Sequence, residues 1–229
     1  MASSFAFPTW APHMRRVLLS LSFLGCAQPG SGTDHEIAFQ LETGKLSGLP
    51  AGWLVAGASP TTPCAGWQVV ADPRGPAQHQ VLAVKPPEAA SGPFNLCWTN
   101  EVPFKDGALE VALCADAGRQ DQGGGPIWRV RDAANYYVCR INPLEGNFRV
   151  YVVEHGERRE LGSADVDVAT GTWHTIRIEH AGTRIRCWID GAAKLEVTDS
   201  TLRDSGGVGV WSKADAATHF ADLRVFPIR

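Results

Sequence analysis

The chain reads as an all-β protein of two packed antiparallel sheets, and three observations predict that class. Apolar residues recur with period two in short runs, most cleanly beyond residue 126. Glycine (24) and proline (15) punctuate the 229 residues, and no stretch sustains a helical period. Eight tryptophans against two methionines suit many short strands better than a helical bundle. So many half-buried strands need a second sheet to cover each apolar face.

Taken in order, alternation predicts strands at 36–42, 66–71, 78–84, 94–98 and 108–114. Turn sequences separate them: Asp72-Pro73-Arg74-Gly75-Pro76, Lys85-Pro86-Pro87 and Lys105-Asp106-Gly107. The second half predicts strands at 126–131, 135–142, 147–153, 172–180, 184–190, 193–197, 206–211 and 219–226. The turn His180-Ala181-Gly182-Thr183 makes 172–180 and 184–190 the clearest hairpin. Residues 35–229 are read as one domain, without an internal repeat.

Ahead of that domain lies an export signal. Arg15 and Arg16 precede an apolar run from Val17 to Cys26, too short to span a bilayer. Met14 competes with Met1 as the true start. Phe23-Leu24-Gly25-Cys26 has the form of a bacterial lipobox, in which the cysteine is acylated, and this reading is preferred to plain secretion. Residues 27–34 then form a Pro/Gly/Ser tether. Export leaves five cysteines besides Cys26 (Cys64, Cys97, Cys114, Cys139 and Cys187), so at least one is unpaired. Their spacing is not that of a zinc site.

A net charge of −3 without a basic cluster removes nucleic acid from the expected partners. Membrane contact is expected only through a lipid anchor, and the oligomeric state is left open. A nucleophile elbow and a phosphate loop are both missing. Alternation places Arg129 on one face of its strand, with Trp128 opposite, and gathers Tyr136, Val138, Arg140 and Asn142 on one face of the next. If those strands are neighbours, Arg129, Arg140 and Asn142 share a polar surface beside Glu145 and Asn147. Such a surface can stack on sugar rings and hydrogen-bond their hydroxyls. It can equally be a solvated face with cross-strand ion pairs. Trp128 is divided between binding platform and core, whereas Trp173, Trp188 and Trp211 read as core. Glu145, Glu179 and Asp190 are isolated acids, and no strand presents alternating carboxylates toward one groove, as paired glycosidase acids would require. No cofactor is expected. Calcium is the one ion considered, at the acids Asp199, Asp204, Asp215 and Asp222.

Five stretches carry a resemblance: Gln122-Gly123-Gly124-Gly125-Pro126-Ile127-Trp128-Arg129, Asn135 through Asn147, Gly171-Thr172-Trp173-His174-Thr175, Cys187-Trp188-Ile189-Asp190-Gly191, and Gly207 through Asp215. Together they resemble the LamG-like jelly-roll proteins, relatives of the 3-keto-disaccharide hydrolase family of exported bacterial proteins. The resemblance implies a concanavalin A-like sandwich. That hydrolase branch opens on an LFNGKDLSGW-type phrase, of which Leu41 through Leu49 is a loose echo. The expected function is therefore an exported, non-catalytic carbohydrate-binding or surface-interaction module. The alternatives are a glycoside hydrolase acting on 3-keto-disaccharides and a module that binds protein.

The lipobox reading predicts a mature chain that begins at an acylated Cys26. Mass spectrometry of the membrane fraction should find Met1 to Gly25 absent, and Cys26→Ala should release the protein. A mature N-terminus elsewhere would overturn the reading.

Overall fold

In the computed structural model, residues 35–37, 48–57, 65–76, 80–85 and 94–227 are described. They form fifteen strands and, among the described residues, no α-helix. In chain order these are β1 (His35–Ile37), β2 (Trp53–Gly57), β3 (Gly66–Ala71), β4 (Gln80–Lys85), β5 (Phe94–Phe104), β6 (Gly107–Ala117), β7 (Gly125–Asp132) and β8 (Asn135–Asn142). There follow β9 (Asn147–Glu154), β10 (Glu157–Asp165), β11 (Trp173–Ala181), β12 (Arg184–Ile189), β13 (Ala192–Thr198), β14 (Gly206–Lys213) and β15 (Ala217–Phe226). All belong to one compact unit, Gly32–Arg229.

One sheet runs β13-β12-β11-β6-β15-β4-β3, with β1 added along β15; the other runs β10-β9-β8-β7-β14-β5-β2. Every described pairing between strands is antiparallel. The main core fills the space between the sheets. Leu109, Val111, Ile176, Ile178 and Cys187 come from one sheet, and Trp128, Tyr137, Cys139, Phe148 and Val150 from the other. Alternation fixes this: Ile176 and Ile178 are fully buried, while Arg177 and Glu179 face outward and pair with each other.

A second apolar cluster lies on the outer face of the seven-stranded sheet: Leu96, Trp98, Ile127, Tyr136, Val138, Tyr151 and Trp211. The reason is curvature. The Arg158 guanidinium carbon on β10 lies 5.1 Å from the centroid of the Phe94 ring on β5. In a flat sheet those strands would be five spacings, about 24 Å, apart, too far for two side chains to bridge. The sheet therefore curls, and the face bearing Tyr151 and Phe94 is its concave side. Glycine permits the bend: a Cβ at Gly125 would lie 2.0 Å from the Cys139 carbonyl oxygen, and one at Gly209 2.2 Å from that of Cys97.

The predicted strands from 66–71 through 219–226 all appear, 66–71 and 135–142 with the predicted bounds, and the 172–180/184–190 hairpin is β11–β12. Alternation did not predict β2 or β10. Both are edge strands; β10 carries a bulge between Glu160 and Gly162 and exposed charges on both faces, which erase the period-two signal. Trp173 and Trp188, expected in the core, are only half-buried, on the outer surface of the eight-stranded sheet. Cys114, Cys139 and Cys187 are buried free thiols. The expected export signal with Cys26, the expected tether, most of the predicted 36–42 strand and Cys64 lie outside the described residues.

This packing generates a stability contrast. Ile178→Ala should cost about 2–5 kcal/mol by opening a cavity between the sheets. Arg177→Ala should cost about 1 kcal/mol or less, because its ion pairs are solvent-screened. Denaturant unfolding of both variants measures the difference, and equal small effects would show the facing to be wrong.

Candidate functional site

β8, β9 and the turn between them build a polar cluster at one end of the concave face. In register, Arg140 faces Arg149 and Asn142 faces Asn147. Asn142 shapes the turn, its side-chain oxygen accepting from the Leu144 and Glu145 amides at 2.9 and 3.3 Å. Its amide nitrogen donates to Asp121, which also pairs with Lys213 at 2.9 Å. The turn delivers Glu145 over the sheet, where it accepts from Asn147 at 2.9 Å and from Arg140 at 3.1 Å. The Asn147 hydrogen bond, with Arg140 behind it, holds the Glu145 carboxyl below its ordinary range. Arg140 donates further to the Asn147 side-chain oxygen and to the Tyr151 hydroxyl.

Two like charges facing each other across β8 and β9 would repel. Glu145 lies between them, reaching Arg149 as well at 3.4 Å, and Glu160 approaches Arg149 from β10 at 3.5 Å. The cluster thus has a buried floor and an accessible rim. The Arg140 side chain is 4% exposed, against 41% for Glu145 and 32% for Arg149. Expected on an outward polar face that either meets a ligand or forms cross-strand ion pairs, Arg140 is instead buried and bonded to Asn147, Glu145 and Tyr151.

The expected site therefore divides. Arg140, Asn142, Glu145 and Asn147 do come together. Trp128 and Arg129 do not join them, and the shared face expected for Arg129 is corrected. Pairing between β7 and β8 breaks register after Trp128, and Arg129 takes a left-handed φ of 47°. That bulge lets both residues point inward, between the sheets. Arg129 donates to the carbonyls of Lys105 (2.8 Å), Leu202 (2.7 Å) and Gly182 (3.2 Å), tying three connections at the opposite end of the strand. Trp128 donates to His180 Nδ1 at 2.9 Å and stacks on Tyr137. Burial, reinforced by the Arg129 charge, pushes His180 down to about 4, so the ring is neutral and can accept that bond.

Alternation put Tyr136 on one face with Arg140, the concave one, but did not single out Trp98 or Trp211 as members of it. Trp98, Tyr136 and Trp211 are buried there, and among the described residues Trp98 Nε1, the Tyr136 hydroxyl and Trp211 Nε1 have no hydrogen-bond partner. Trp211 lies beside the Tyr136 hydroxyl without reaching hydrogen-bond geometry. A buried polar atom without a partner costs about 1–3 kcal/mol, so each such group calls for a physical reason. Trp211 read as ordinary core because its strand neighbours are apolar.

The acids considered for calcium are dispersed and already engaged. Asp215 accepts from three successive backbone amides, Arg119 to Asp121. Asp199 holds Tyr137, Arg159 and the Thr201 amide; burial raises its carboxyl, but these bonds outweigh that and bring it down to about 2. Asp204 pairs with Arg131, and Asp222 lies 3.8 Å from Arg224. Among the described residues no three acidic, histidine or cysteine side chains are arranged to hold a metal ion. Glu179 and Asp190 lie away from the cluster, on the eight-stranded sheet, paired with Arg186 and with His174 respectively.

No family model matches the chain, and no curated protein matches it. Solved structures do. The carbohydrate-binding module CBM66 from Bacillus subtilis is 16% identical, with a TM-score of 0.58 over 75% of this chain and 93% of that one. A Bacillus licheniformis β-glucanase is 12% identical, with a TM-score of 0.56 over 87% and 100%. A glycosidic hydrolase is 14% identical, with a TM-score of 0.59 over 87% and 98%. At these identities the likeness shows the fold, a concanavalin A-like jelly roll.

The burial difference between the two arginines sets a test. Arg140→Ala should destabilise the protein by about 2–4 kcal/mol, since it strips charge-assisted bonds from buried partners. Arg149→Ala should change stability by less than about 1 kcal/mol. Thermal melts compare them, and a silent Arg140→Ala would mean that the floor is open to solvent.

Proposed function

We propose that the chain is an exported, non-catalytic carbohydrate-binding module whose ligand docks at the polar end of the concave face. The observation that carries this reading is the rim pair Glu145 and Arg149, held in place by the buried Arg140 and Asn147. Sugar hydroxyls both donate and accept, so their site needs fixed acceptors beside fixed donors on rigid strands. Glu145 supplies acceptor oxygens and Arg149 a planar fork of donors. Tyr151 lies between the two arginines and the apolar part of the same face. The carbohydrate-binding module and the two hydrolases of similar fold agree with this ligand class.

Acid–base chemistry finds less support. A glycosidase needs one carboxyl kept protonated near neutral pH. Asp72, Glu145, Glu196, Asp199 and Asp215 are instead all held below the ordinary carboxylate range by the groups bonded to them. Glu145, the acid at the rim, is bonded to Asn147 and Arg140 and contacts Arg149, which favours its ionised form.

Calorimetric titration of the purified protein against oligosaccharides selected from a glycan array tests the proposal. Arg149→Ala should weaken binding at least tenfold while the melting temperature stays within a few degrees. Glycan binding that survives both Arg149→Ala and Glu145→Gln would move the site elsewhere, and hydrolysis of a bound glycan would replace binding with catalysis.

A further inference from the structure

The charges around Tyr151 narrow the ligand class. Its hydroxyl receives Arg140 at 3.3 Å and Arg149 at 3.5 Å, and the Arg158 guanidinium lies over its ring, 4.4 Å from the centroid. Three guanidiniums thus meet at one side chain. Among the described residues two carboxylates pair with this set, Glu145 and Glu160, and both contact Arg140 or Arg149. Arg158 is half-buried, and among the described residues no carboxylate pairs with it. The balance at the cluster is one positive charge in excess, three against two, in a chain whose net charge is −3.

We propose that the ligand of this face is an acidic glycan, whose anionic substituent, a carboxylate or a sulfate ester, is held by Arg158 with Arg149 beside it. The inference rests on the glycan reading and adds the charge of the ligand to it. Arg158 is stacked between Tyr151 and Phe94, whose ring centroid is 5.1 Å away. Stacking of this kind holds the plane of a guanidinium and satisfies its faces. Its N–H groups lie along its edge, and that fork matches the oxygens of a carboxylate or sulfate two at a time. The concave wall and two aromatic rings exclude part of the water around it, which strengthens an ion pair formed there. A neutral sugar would leave that charge without a counter-ion in a partly desolvated place. An acidic sugar supplies the counter-ion, and its hydroxyls reach the Glu145–Arg149 rim.

The test measures affinity of the purified protein for matched pairs of polysaccharides: polygalacturonate against its full methyl ester, and dextran sulfate against dextran. The acidic member of at least one pair should bind ten times or more tighter than its neutral partner, and the pair that responds identifies the substituent as carboxylate or sulfate. Raising the salt from about 0.05 to 0.5 M should reduce that preference. Arg158→Gln should remove it, and Arg158→Lys, which keeps the charge but not the fork, should restore it in part. Melting curves confirm that each variant is folded; if Arg158→Gln does not fold, the Arg158→Lys and salt results decide. Equal affinity for the acidic and neutral members of both pairs would overturn the acidic-ligand proposal and leave the glycan reading standing. Binding of inorganic sulfate or polyphosphate with no binding of any polysaccharide would overturn the glycan reading and with it this one.

Discussion

The bend of the seven-stranded sheet brings Arg158 on one edge strand against Phe94 five strands away. Such a bend needs a concave side with little bulk at its tightest points. Gly125 and Gly209 provide that, since a Cβ at either would collide with the neighbouring strand's carbonyl oxygen. Curvature then gives the sheet two buried faces. The convex face packs on the partner sheet, and the concave face gathers Leu96, Ile127, Tyr136, Val138 and Trp211 into a core of its own. The candidate site lies at the polar end of that second core, where β8 and β9 pass from apolar residues to Arg140, Arg149 and Asn147.

Two arginines one strand apart show how position decides the role of a charge. Arg129 turns inward at a bulge and spends its donors on the carbonyls of three connections. A buried guanidinium is tolerated only when its donors are satisfied in this way, so Arg129 serves architecture. Arg140 is nearly as buried, as are its partners Asn147 and Tyr151, but its third partner, Glu145, stands at the surface. It holds in place the groups that a ligand can reach. The rim residues Glu145 and Arg149 have that access, and Arg158, stacked between two rings, has a charge without a carboxylate partner among the described residues.

Hydrogen bonding at the sandwich end explains why the interior tolerates so many polar side chains. Tyr137, Asp199, Arg159 and Thr201 form one chain of bonds, and Trp128 with His180 forms a neighbouring pair. Each bond offsets the cost of removing its groups from water. The unpartnered groups of Trp98, Tyr136 and Trp211 sit on the opposite, concave face. Unpartnered polar atoms thus occur on both sides of the sheet: those of Trp98, Tyr136 and Trp211 share a face with the candidate site, whereas Trp67 Nε1 and His180 Nε2 lie between the sheets.

Alternation by itself determined the all-β class, most strand positions, the β11–β12 hairpin and the inward facing of Ile176 and Ile178, because side-chain direction in a regular strand follows period two. It also grouped Arg140 with Asn142 on one face and put Glu145 and Asn147 beside them, since a short turn keeps neighbours in sequence close in space. It failed at Arg129, where one left-handed residue breaks the period, and at β10, where an exposed edge strand has no apolar face to reveal itself. Arg158 and Glu160, both on β10, were therefore invisible as members of the site. Only the tertiary structure decided that Arg140 is buried, that Arg149 and Arg158 converge on Tyr151, and that Phe94 meets Arg158. The physical reason is that curvature belongs to the whole sheet: it sums the twist of seven strands and the clearance of a few glycines, and no local pattern along the chain records that sum.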